Sequence, residues 1–324
     1  MTTPTTASNG DGTLSGEAGH ARAILLMICA VACFAFLDAT AKYLSASLPV
    51  LQIVWMRFVI HVALAVLILR IWRNITRFST NRPILQIGRG AMMLGTTIFN
   101  FLALLHLQLA EAATFMFAGP IVVAALAGPL LGEWAGPRRW AAIAVGFLGV
   151  LVVTRPGLDG LGWPALLSVV SMTCFALYSL STRVLAQTES QDGLILYTGL
   201  IPAIGLAPFA LSVWVWPTDP ASWLLMVLTG VFGGGGHWLL IKAHIQAPAP
   251  TLAPFMYTQI VWMIALGWLI FADVPTIWTL AGAGSIISSG LYLLYREEVT
   301  RRRAKTASLA ASGAGTTSSR DLPS

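Results

Sequence analysis

The 324 residues of the chain are 56% hydrophobic and only 10% charged, and the mean hydropathy is +0.77. Because a soluble domain carries roughly 25% charged residues, this composition excludes a protein that solvates its own surface in water. Runs of about 20 apolar residues, each long enough to cross a bilayer, recur along the chain. We therefore expect an all-α polytopic membrane protein that is embedded in a lipid bilayer.

The net charge of +6 would suggest a nucleic-acid partner in a soluble protein. Here the basic residues lie at the ends of apolar runs, which is the positive-inside signature of membrane proteins, so no nucleic acid is expected. The cysteines Cys29, Cys33 and Cys174 lie within apolar runs, without further ligands at metal-binding spacing. We interpret them as helix-packing residues and expect neither a metal site nor a cofactor.

The segment 1–21 is rich in Thr, Ser, Gly and Ala and predicts a disordered cytoplasmic tail. Ten transmembrane helices are predicted after it, at about 22–44, 50–71, 84–106, 109–132, 137–155, 162–186, 193–215, 222–244, 249–272 and 276–295. Residues 296–324 begin with a basic run and continue as a second tail with the composition of a disordered segment.

Three sequence echoes, each displaced by about 140 residues, indicate an internal duplication. They pair Cys33-Phe-Ala-Phe-Leu-Asp-Ala-Thr-Ala-Lys42 with Cys174-Phe-Ala-Leu-Tyr-Ser-Leu-Ser-Thr-Arg183, Thr114-Phe-Met-Phe117 with Pro254-Phe-Met-Tyr257, and His106-Leu-Gln108 with His244-Ile-Gln246. The duplication divides the chain into two five-helix repeats, 22–155 and 162–295. Because five is an odd number, the two repeats run in opposite directions across the membrane, as in many secondary transporters.

The distribution of charge predicts the orientation of the chain. If both termini are cytoplasmic, the outside loops hold only Arg155, with Lys42 and Arg57 near the outer ends of their helices. The inside segments then carry most of the basic residues, including Arg22, Arg70, Arg73, Arg77, Arg82, Arg89, Arg138, Arg139, Arg183, Lys242 and the cluster Arg301, Arg302, Arg303 and Lys305. This asymmetry predicts a plasma-membrane protein of the bacterial inner-membrane type, with both termini inside.

Ten helices in two inverted five-helix repeats resemble the drug/metabolite transporter superfamily, specifically its EamA-type members. The residues that carry the resemblance are Asp38-x-x-x-Lys42 before a short Pro-containing loop and Arg57, then Ala112-Ala113, Pro120, Glu133, Arg139-Trp140 and Gly146-x-x-Gly149. Residues 83–93 are also similar to the start of the third helix in members likened to S-adenosylmethionine carriers. The second half departs from the pattern at Ile260 and Asp273, which stand where the first half has Pro120 and Glu133.

The resemblance covers about residues 22–295 and implies transport of a small organic metabolite such as an amino acid, a nucleobase or a related compound. A secondary transporter that works by alternating access is therefore the first hypothesis. The alternatives are a channel or a non-catalytic membrane scaffold, and an integral-membrane enzyme. No catalytic motif such as His-Glu-x-x-His or Gly-x-Ser-x-Gly occurs in the sequence, so we expect that the protein is not an enzyme.

The first four candidate site residues are ionisable or amide side chains inside predicted helices, where polar groups are costly. Asp38 and Lys42 are one turn apart on the first helix, Arg57 lies near the outer end of the second, and Asn100 is at a similar depth on the third. They predict a site for substrate or for a coupling proton. The alternative is a salt bridge that fixes the first two helices, with Lys42 extending to the interface and Arg57 serving structure or gating.

The remaining candidates are mostly aromatic or amide residues of the second repeat: Phe117, Tyr178, Ser179, His237, Trp238, Tyr257 and Gln259. Apolar walls with a few converging polar groups are typical of a small-molecule pocket. Phe117 and Tyr257 are partners in the duplication and could face each other across the pseudo-twofold axis, and His237 is a candidate for proton coupling. For each of them, ordinary packing between helices is the alternative.

Glycines and small residues predict places where helices approach closely. Gly233 to Gly236 permit either close backbone approach or local unwinding. Small residues spaced by four in the fifth and tenth helices predict packing within the fold or between protomers, so a homodimer is possible. Glu111, Glu133 and Asp273 fall at predicted helix ends, and an ion pair of Glu133 with Arg138 and Arg139 is expected at the interface rather than in the site.

Overall fold

The computed structural model describes residues 11–73, 78–132, 136–155, 161–247 and 249–317. A short 3₁₀ turn at Ile71–Arg73 follows the second helix. The α-helices in the described residues are α1 (Asp11–Leu44), α2 (Val50–Leu69), α3 (Pro83–Leu104), α4 (Leu109–Phe117), α5 (Gly119–Leu131), α6 (Pro137–Thr154), α7 (Pro164–Leu185), α8 (Gln191–Ser212), α9 (Pro220–Gln246), α10 (Ala249–Met256), α11 (Gln259–Phe271) and α12 (Ile277–Thr317).

These helices form the ten predicted membrane passes, which confirms the predicted fold class. Within the described residues, nine helical stretches are long and apolar enough to cross a bilayer, and the shorter apolar helix Trp140–Thr154 lies in the fifth pass. The fourth pass consists of α4 followed by α5, and the ninth consists of α10 followed by α11. The first pass is apolar from Ala21 and the last is apolar as far as Arg296.

The two discontinuous passes are broken at equivalent places in the duplicated sequence. In the fourth pass the break follows Phe117, and Pro120 lies in the first turn of α5. Backbone N–H groups in the first turn have no partner within the helix, so the N–H that proline lacks costs no helical hydrogen bond. In the ninth pass Tyr257 and Thr258 separate α10 from α11. Phe117 and Tyr257 are therefore both located where a membrane helix is interrupted.

The terminal helices extend into the segments whose composition predicts disorder. In the structure α1 begins at Asp11 and α12 ends at Thr317, whereas residues 1–10 and 318–324 lie outside the described residues. Strong helix formers such as Ala, Arg, Lys and Glu are frequent just after the last apolar pass, which allows the helix to continue beyond it. The predicted disorder of the two tails stays a prediction.

Helix contacts follow a pseudo-twofold pattern between the repeats. The most extensive contacts join α1 to α9 and α3 to α7, which are equivalent pairs, while α2 packs on α8 and α6 on α12. Two glycine contacts repeat in the same way: a methyl group at Gly90 would lie 2.6 Å from Ile201, and one at Gly230 would overlap the side chain of Ile60. Each repeat thus buries its helices mainly against the other repeat.

Small residues bring α6 and α12 together within one chain. Ser285 donates a hydrogen bond of 3.2 Å to the carbonyl of Val145, and Ser289 donates to the carbonyl of Ala142. A methyl group at Gly149 would lie 3.0 Å from the carbonyl of Gly282. The structure supports packing inside the fold for these residues, and a possible homodimer stays a prediction.

Helix α9 runs without interruption through Gly233 to Gly236, so these glycines serve close approach and not local unwinding. The helix begins after Asp219, whose carboxylate accepts hydrogen bonds of 2.7 Å from the hydroxyl and the backbone N–H of Ser222. These bonds lower the pKa of the Asp219 carboxyl. This cap fixes the start of α9 at the water-exposed end of the pass.

Candidate functional site

We describe the two ends of the molecule by α1 and α3. The Leu44 end is where α1 finishes, and the Pro83 end, on the opposite side, is where α3 begins. Asp38 lies six residues before Leu44, and Arg89 lies six residues after Pro83. At a rise of 1.5 Å per residue, each is about 9 Å inside its end of the membrane-spanning region.

At the Leu44 end, Lys42 makes an ion pair with the second repeat. Its Nζ lies 3.0 Å from Oδ2 of Asp273, donates a hydrogen bond of 2.8 Å to the carbonyl of Leu107, and is 4.9 Å from the centre of the Phe271 ring. The Lys42 and Asp273 side chains are only 17% and 25% exposed. The spacing of Asp38 and Lys42 on one helix would allow them to pair, whereas the structure pairs Lys42 with Asp273, a residue distant in sequence.

Below this ion pair, three of the predicted residues converge. Asn100 donates a hydrogen bond of 3.0 Å from Nδ2 to Oδ1 of Asp38. Arg57 is close enough to Asp38 for their charges to interact, although the ion pairs recorded for the described residues do not include these two. The structure thus brings together a carboxylate, an amide and a guanidinium from α1, α3 and α2.

Arg57 is held in place without using all of its donors. Its side chain is 5% exposed, Nη1 donates to Oγ1 of Thr97, and the guanidinium carbon lies 4.7 Å from the centre of the Phe58 ring. Nε is buried and has no hydrogen-bond partner among the described residues. A methyl group at Gly233 of α9 would lie 3.0 Å from this Nε, so a larger residue there would push against the guanidinium. A buried donor without an acceptor is rare and costly.

Two histidines lie beside this cluster, one from each repeat. The ring centres of His61 on α2 and His237 on α9 are 6.0 Å apart, and Phe34 packs 5.0 Å from His237. His61 is 4% exposed, and its Nε2 is 3.3 Å from the carbonyl of Ile195. His237 was a predicted site residue, and His61 was not. The sequence signal that could have identified His61 is its position, one turn after Arg57 within an apolar run.

Toward the Pro83 end, Arg89 forms a second buried polar cluster, of which only Tyr178 is among the predicted site residues. The side chain is 2% exposed and packs with its guanidinium carbon 5.0 Å from the centre of the Tyr178 ring. Its nitrogens donate to Oγ1 of Thr182 at 2.8 Å, Oε1 of Gln86 at 3.0 Å, the carbonyl of Leu194 at 2.9 Å, the Tyr178 hydroxyl at 3.5 Å and the Thr198 hydroxyl. The sequence offers one signal for this cluster, an arginine almost two turns inside an apolar helix. The charge distribution alone assigns that arginine to the cytoplasmic end of the pass.

Tyr178 links the two clusters. Its hydroxyl lies 3.4 Å from the Thr198 hydroxyl and contacts Arg89, and Tyr178 also interacts electrostatically with Arg57. His237 interacts electrostatically with both arginines. Polar side chains therefore follow one another from the Leu44 end to the Pro83 end, at the contact between the repeats.

The other predicted residues lie at different places. Phe117 and Tyr257 contact each other with ring centres 5.3 Å apart and planes at 74°, so the two rings meet at the breaks of the fourth and ninth passes. Trp238 is 40% exposed and lies 5.6 Å from Nζ of Lys242, at the surface of α9. Ser179 is half-buried on α7, and Gln259 is the half-buried first residue of α11.

Two further predictions concern metals and Glu133. Among the described residues, no group of three or more His, Cys, Asp or Glu side chains is arranged to hold a metal ion. Glu133, for which an interfacial ion pair was predicted, lies outside the described residues. Glu111 accepts a hydrogen bond of 2.9 Å from the backbone N–H of Gln108 and so caps the start of α4.

Comparison with known proteins places the whole membrane region in one family. The profile of the family described as "EamA-like transporter family" matches residues 21–155 and matches again at residues 162–296. A protein of known crystal structure, 19% identical to this chain, has a TM-score of 0.60 over 85% of this chain and 98% of its own. At that identity the likeness shows a shared fold only.

Three relatives carry names that describe transport. An S-adenosylmethionine uptake transporter of Rickettsia conorii is 27% identical over 267 residues, which are 82% of this chain and 90% of the relative. A riboflavin transporter of Rhizobium johnstonii is 32% identical over 199 residues, or 60% of this chain and 64% of the relative. A pseudopaline exporter of Pseudomonas aeruginosa is 26% identical over 265 residues, or 82% and 93%.

The family match covers both repeats, and the relatives are named as transporters and not as enzymes. The apolar passes make the protein an integral membrane protein. The chain is a membrane transporter that belongs to the EamA-like transporter family, within the drug/metabolite transporter superfamily.

Proposed function

We propose that the protein is a secondary transporter that moves a small zwitterionic metabolite across the plasma membrane by alternating access between its two repeats. The inverted arrangement supports this mechanism, because two similar halves can exchange conformations and open the site to either side in turn. In the proposed orientation both termini are cytoplasmic, so the Leu44 end faces outward and the Pro83 end faces inward.

The observation that carries the substrate class is the buried Nε of Arg57, which has no acceptor among the described residues. Close to it, Asp38 accepts a hydrogen bond from Asn100 and interacts with Arg57 at a distance. A zwitterion would supply a partner for each of these groups: its carboxylate would accept a hydrogen bond from Arg57, and its ammonium would donate one to Asp38. Each would be a charge-assisted hydrogen bond, which is stronger than a neutral one.

The asymmetry of the repeats also supports a role for Asp38. In the duplicated sequence Asp38 corresponds to Ser179 and Arg57 corresponds to Thr198, so the charged pair occurs only once. A structural ion pair between helices would be equally useful in both repeats, whereas one substrate needs one set of charges. The ion pair between Lys42 and Asp273 closes the Leu44 end above this site and would have to separate when the site opens outward.

S-adenosylmethionine is a suitable first probe, because it carries both an ammonium and a carboxylate group and is named as the substrate of the Rickettsia relatives. Riboflavin, named as the substrate of the Rhizobium relative, has neither group and is a natural comparison. We would titrate both against the detergent-purified protein and follow the thermal unfolding midpoint, because a ligand that binds the folded state stabilises it by mass action.

The test compares wild type with Asp38→Asn, and Asp219→Asn serves as the matched control. Asp219 caps α9 outside the pass, and asparagine caps helices about as well as aspartate. We expect S-adenosylmethionine to raise the midpoint of wild type and of Asp219→Asn, with at least about tenfold weaker binding by Asp38→Asn, as for loss of one charged hydrogen bond. Uptake into proteoliposomes should fall in parallel. Full uptake by a folded Asp38→Asn protein would exclude this role for Asp38.

A further inference from the structure

The hydrogen bonds of Arg89 are unusual because every recorded acceptor is neutral. The guanidinium is 2% exposed, and among the described residues its acceptors are two hydroxyl groups of threonine, one of tyrosine, one amide oxygen and one backbone carbonyl. Burying a cation is costly, and these neutral acceptors satisfy the N–H groups of Arg89 without neutralising its charge.

A second donor beside Arg89 lacks an acceptor altogether. Gln86 lies one turn before Arg89 on α3, is 1% exposed, and uses its Oε1 to accept from Arg89. The Nε2 of the same amide is buried and has no hydrogen-bond partner among the described residues. Donors therefore outnumber acceptors at this point, and they are adjacent on one helix face. Such a set of donors is complementary to an anion.

The Arg89 cluster also joins the two repeats. Arg89 and Gln86 belong to α3, while Thr182 belongs to α7 and Leu194 and Thr198 belong to α8. Separation of the repeats at the Pro83 end would remove most of the acceptors of Arg89.

We propose that Arg89 and Gln86 form an anion-binding site at the Pro83 end of the substrate pathway. This proposal rests on the proposed function, because it assigns the site to the carboxylate of the transported metabolite. When α7 and α8 move away from α3, the carboxylate replaces the threonine hydroxyls and the Leu194 carbonyl as the acceptor for the guanidinium. Without an anion, that movement leaves a cation unpaired inside the membrane protein. The anion therefore favours opening at this end, and its absence favours the closed state.

Acetate is the simplest probe of this site, since it has a carboxylate and no ammonium group. The purified protein would be titrated with sodium acetate at constant ionic strength, with sodium chloride as the balancing salt, and its thermal unfolding midpoint would be recorded. Arg89→Gln removes the charge, and Arg89→Lys keeps the charge but lacks the planar fork of donors. Arg82→Gln is the matched control, because Arg82 is an exposed arginine that precedes α3 and is outside the cluster.

We expect acetate to raise the midpoint of wild type and of Arg82→Gln. The apparent affinity for acetate should fall at least about tenfold in Arg89→Gln, as for loss of one charged hydrogen bond, and by an intermediate factor in Arg89→Lys. The absence of any acetate effect on wild type would overturn the proposal, and so would an equal effect on wild type and Arg89→Gln.

Two further variants keep the test decisive if Arg89→Gln does not fold. Thr182→Val and Thr198→Val remove competing acceptors and leave the charge of Arg89 in place, so acetate should bind them more tightly than it binds wild type. An unchanged or weaker acetate response in both would contradict the proposal. The anion site thus remains testable if S-adenosylmethionine proves not to bind, and a failure of one proposal is distinguishable from a failure of the other.

Discussion

At the scale of single residues, a buried polar atom without a partner can belong to a binding site or to a packing contact, and its surroundings distinguish the two. The Tyr257 hydroxyl and the Nε of Arg57 are both buried without a recorded acceptor or donor among the described residues. Their surroundings differ. The charge of Arg57 interacts with the carboxylate of Asp38, whereas the Tyr257 hydroxyl faces the backbone of Gly290. We interpret Arg57 as a ligand-binding group and Tyr257 as a packing residue at the break of the ninth pass.

The contact between Tyr257 and Gly290 gives a prediction about stability. A methyl group at Gly290 would overlap the Tyr257 hydroxyl and lie 3.3 Å from its ring carbon Cζ. Gly290→Ala should therefore lower the free energy of unfolding by about 1–3 kcal/mol, the usual cost of overpacking. The measurement is thermal or denaturant unfolding of the purified protein in detergent.

Gly284→Ala is the matched control for this prediction, because Gly284 is on the same helix and has no neighbour within 4 Å of the added methyl group. The double variant Gly290→Ala with Tyr257→Phe should recover most of the loss, since the overlapping hydroxyl is gone. If Gly290→Ala is as stable as Gly284→Ala, the Tyr257 hydroxyl does not pack closely against Gly290.

At the scale of elements, the glycine run of α9 illustrates how a helix can be continuous and still closely packed. Gly233 admits the Arg57 side chain and Gly236 admits the Phe34 ring, while Gly235 has open space around it. Consecutive glycines point in different directions around a helix, so neighbouring positions have different roles. The run allows α9 to approach both α1 and α2, which are the helices that carry Asp38 and Arg57.

We expect Gly236→Ala and Gly235→Ala to have opposite effects. A methyl group at Gly236 would lie 2.7 Å from the Phe34 ring, so Gly236→Ala should destabilise the protein by about 1–3 kcal/mol and reduce transport, because it displaces α1. Gly235→Ala adds no contact and should be neutral or stabilising by up to about 1 kcal/mol through helix propensity. Unfolding midpoints and uptake rates of the two variants can be compared directly, and equal behaviour of both would argue against the α1–α9 packing.

At the scale of the whole molecule, the orientation of the chain remains a prediction from charge. With both termini cytoplasmic, Thr218 before α9 faces outward and Thr80 before α3 faces inward. A membrane-impermeant maleimide should therefore label Thr218→Cys in intact cells and label Thr80→Cys only after permeabilisation. The native protein, with Cys29, Cys33 and Cys174, serves as the background. The reverse pattern would place the termini outside.

Composition and periodicity were sufficient to predict a ten-pass membrane protein with a duplicated, inverted architecture. Neither property depends on tertiary contacts: the apolar length of each run determines whether it crosses a bilayer, and the duplication is visible as similar stretches of sequence about 140 residues apart. Asp38, Arg57 and Asn100 could be singled out as candidate site residues for the same reason, because a polar residue within an apolar run is conspicuous without any knowledge of its neighbours.

The partners of those residues were decided only by the tertiary structure. Lys42 was within reach of Asp38 along one helix, yet it pairs with Asp273, which is 231 residues away in sequence. Four of the five acceptors of Arg89 come from two helices of the other repeat, and His61 packs near His237 between the repeats. Such pairings depend on how two helices face each other. The pattern along one helix specifies which of its faces is polar, but it does not specify which helix will cover that face.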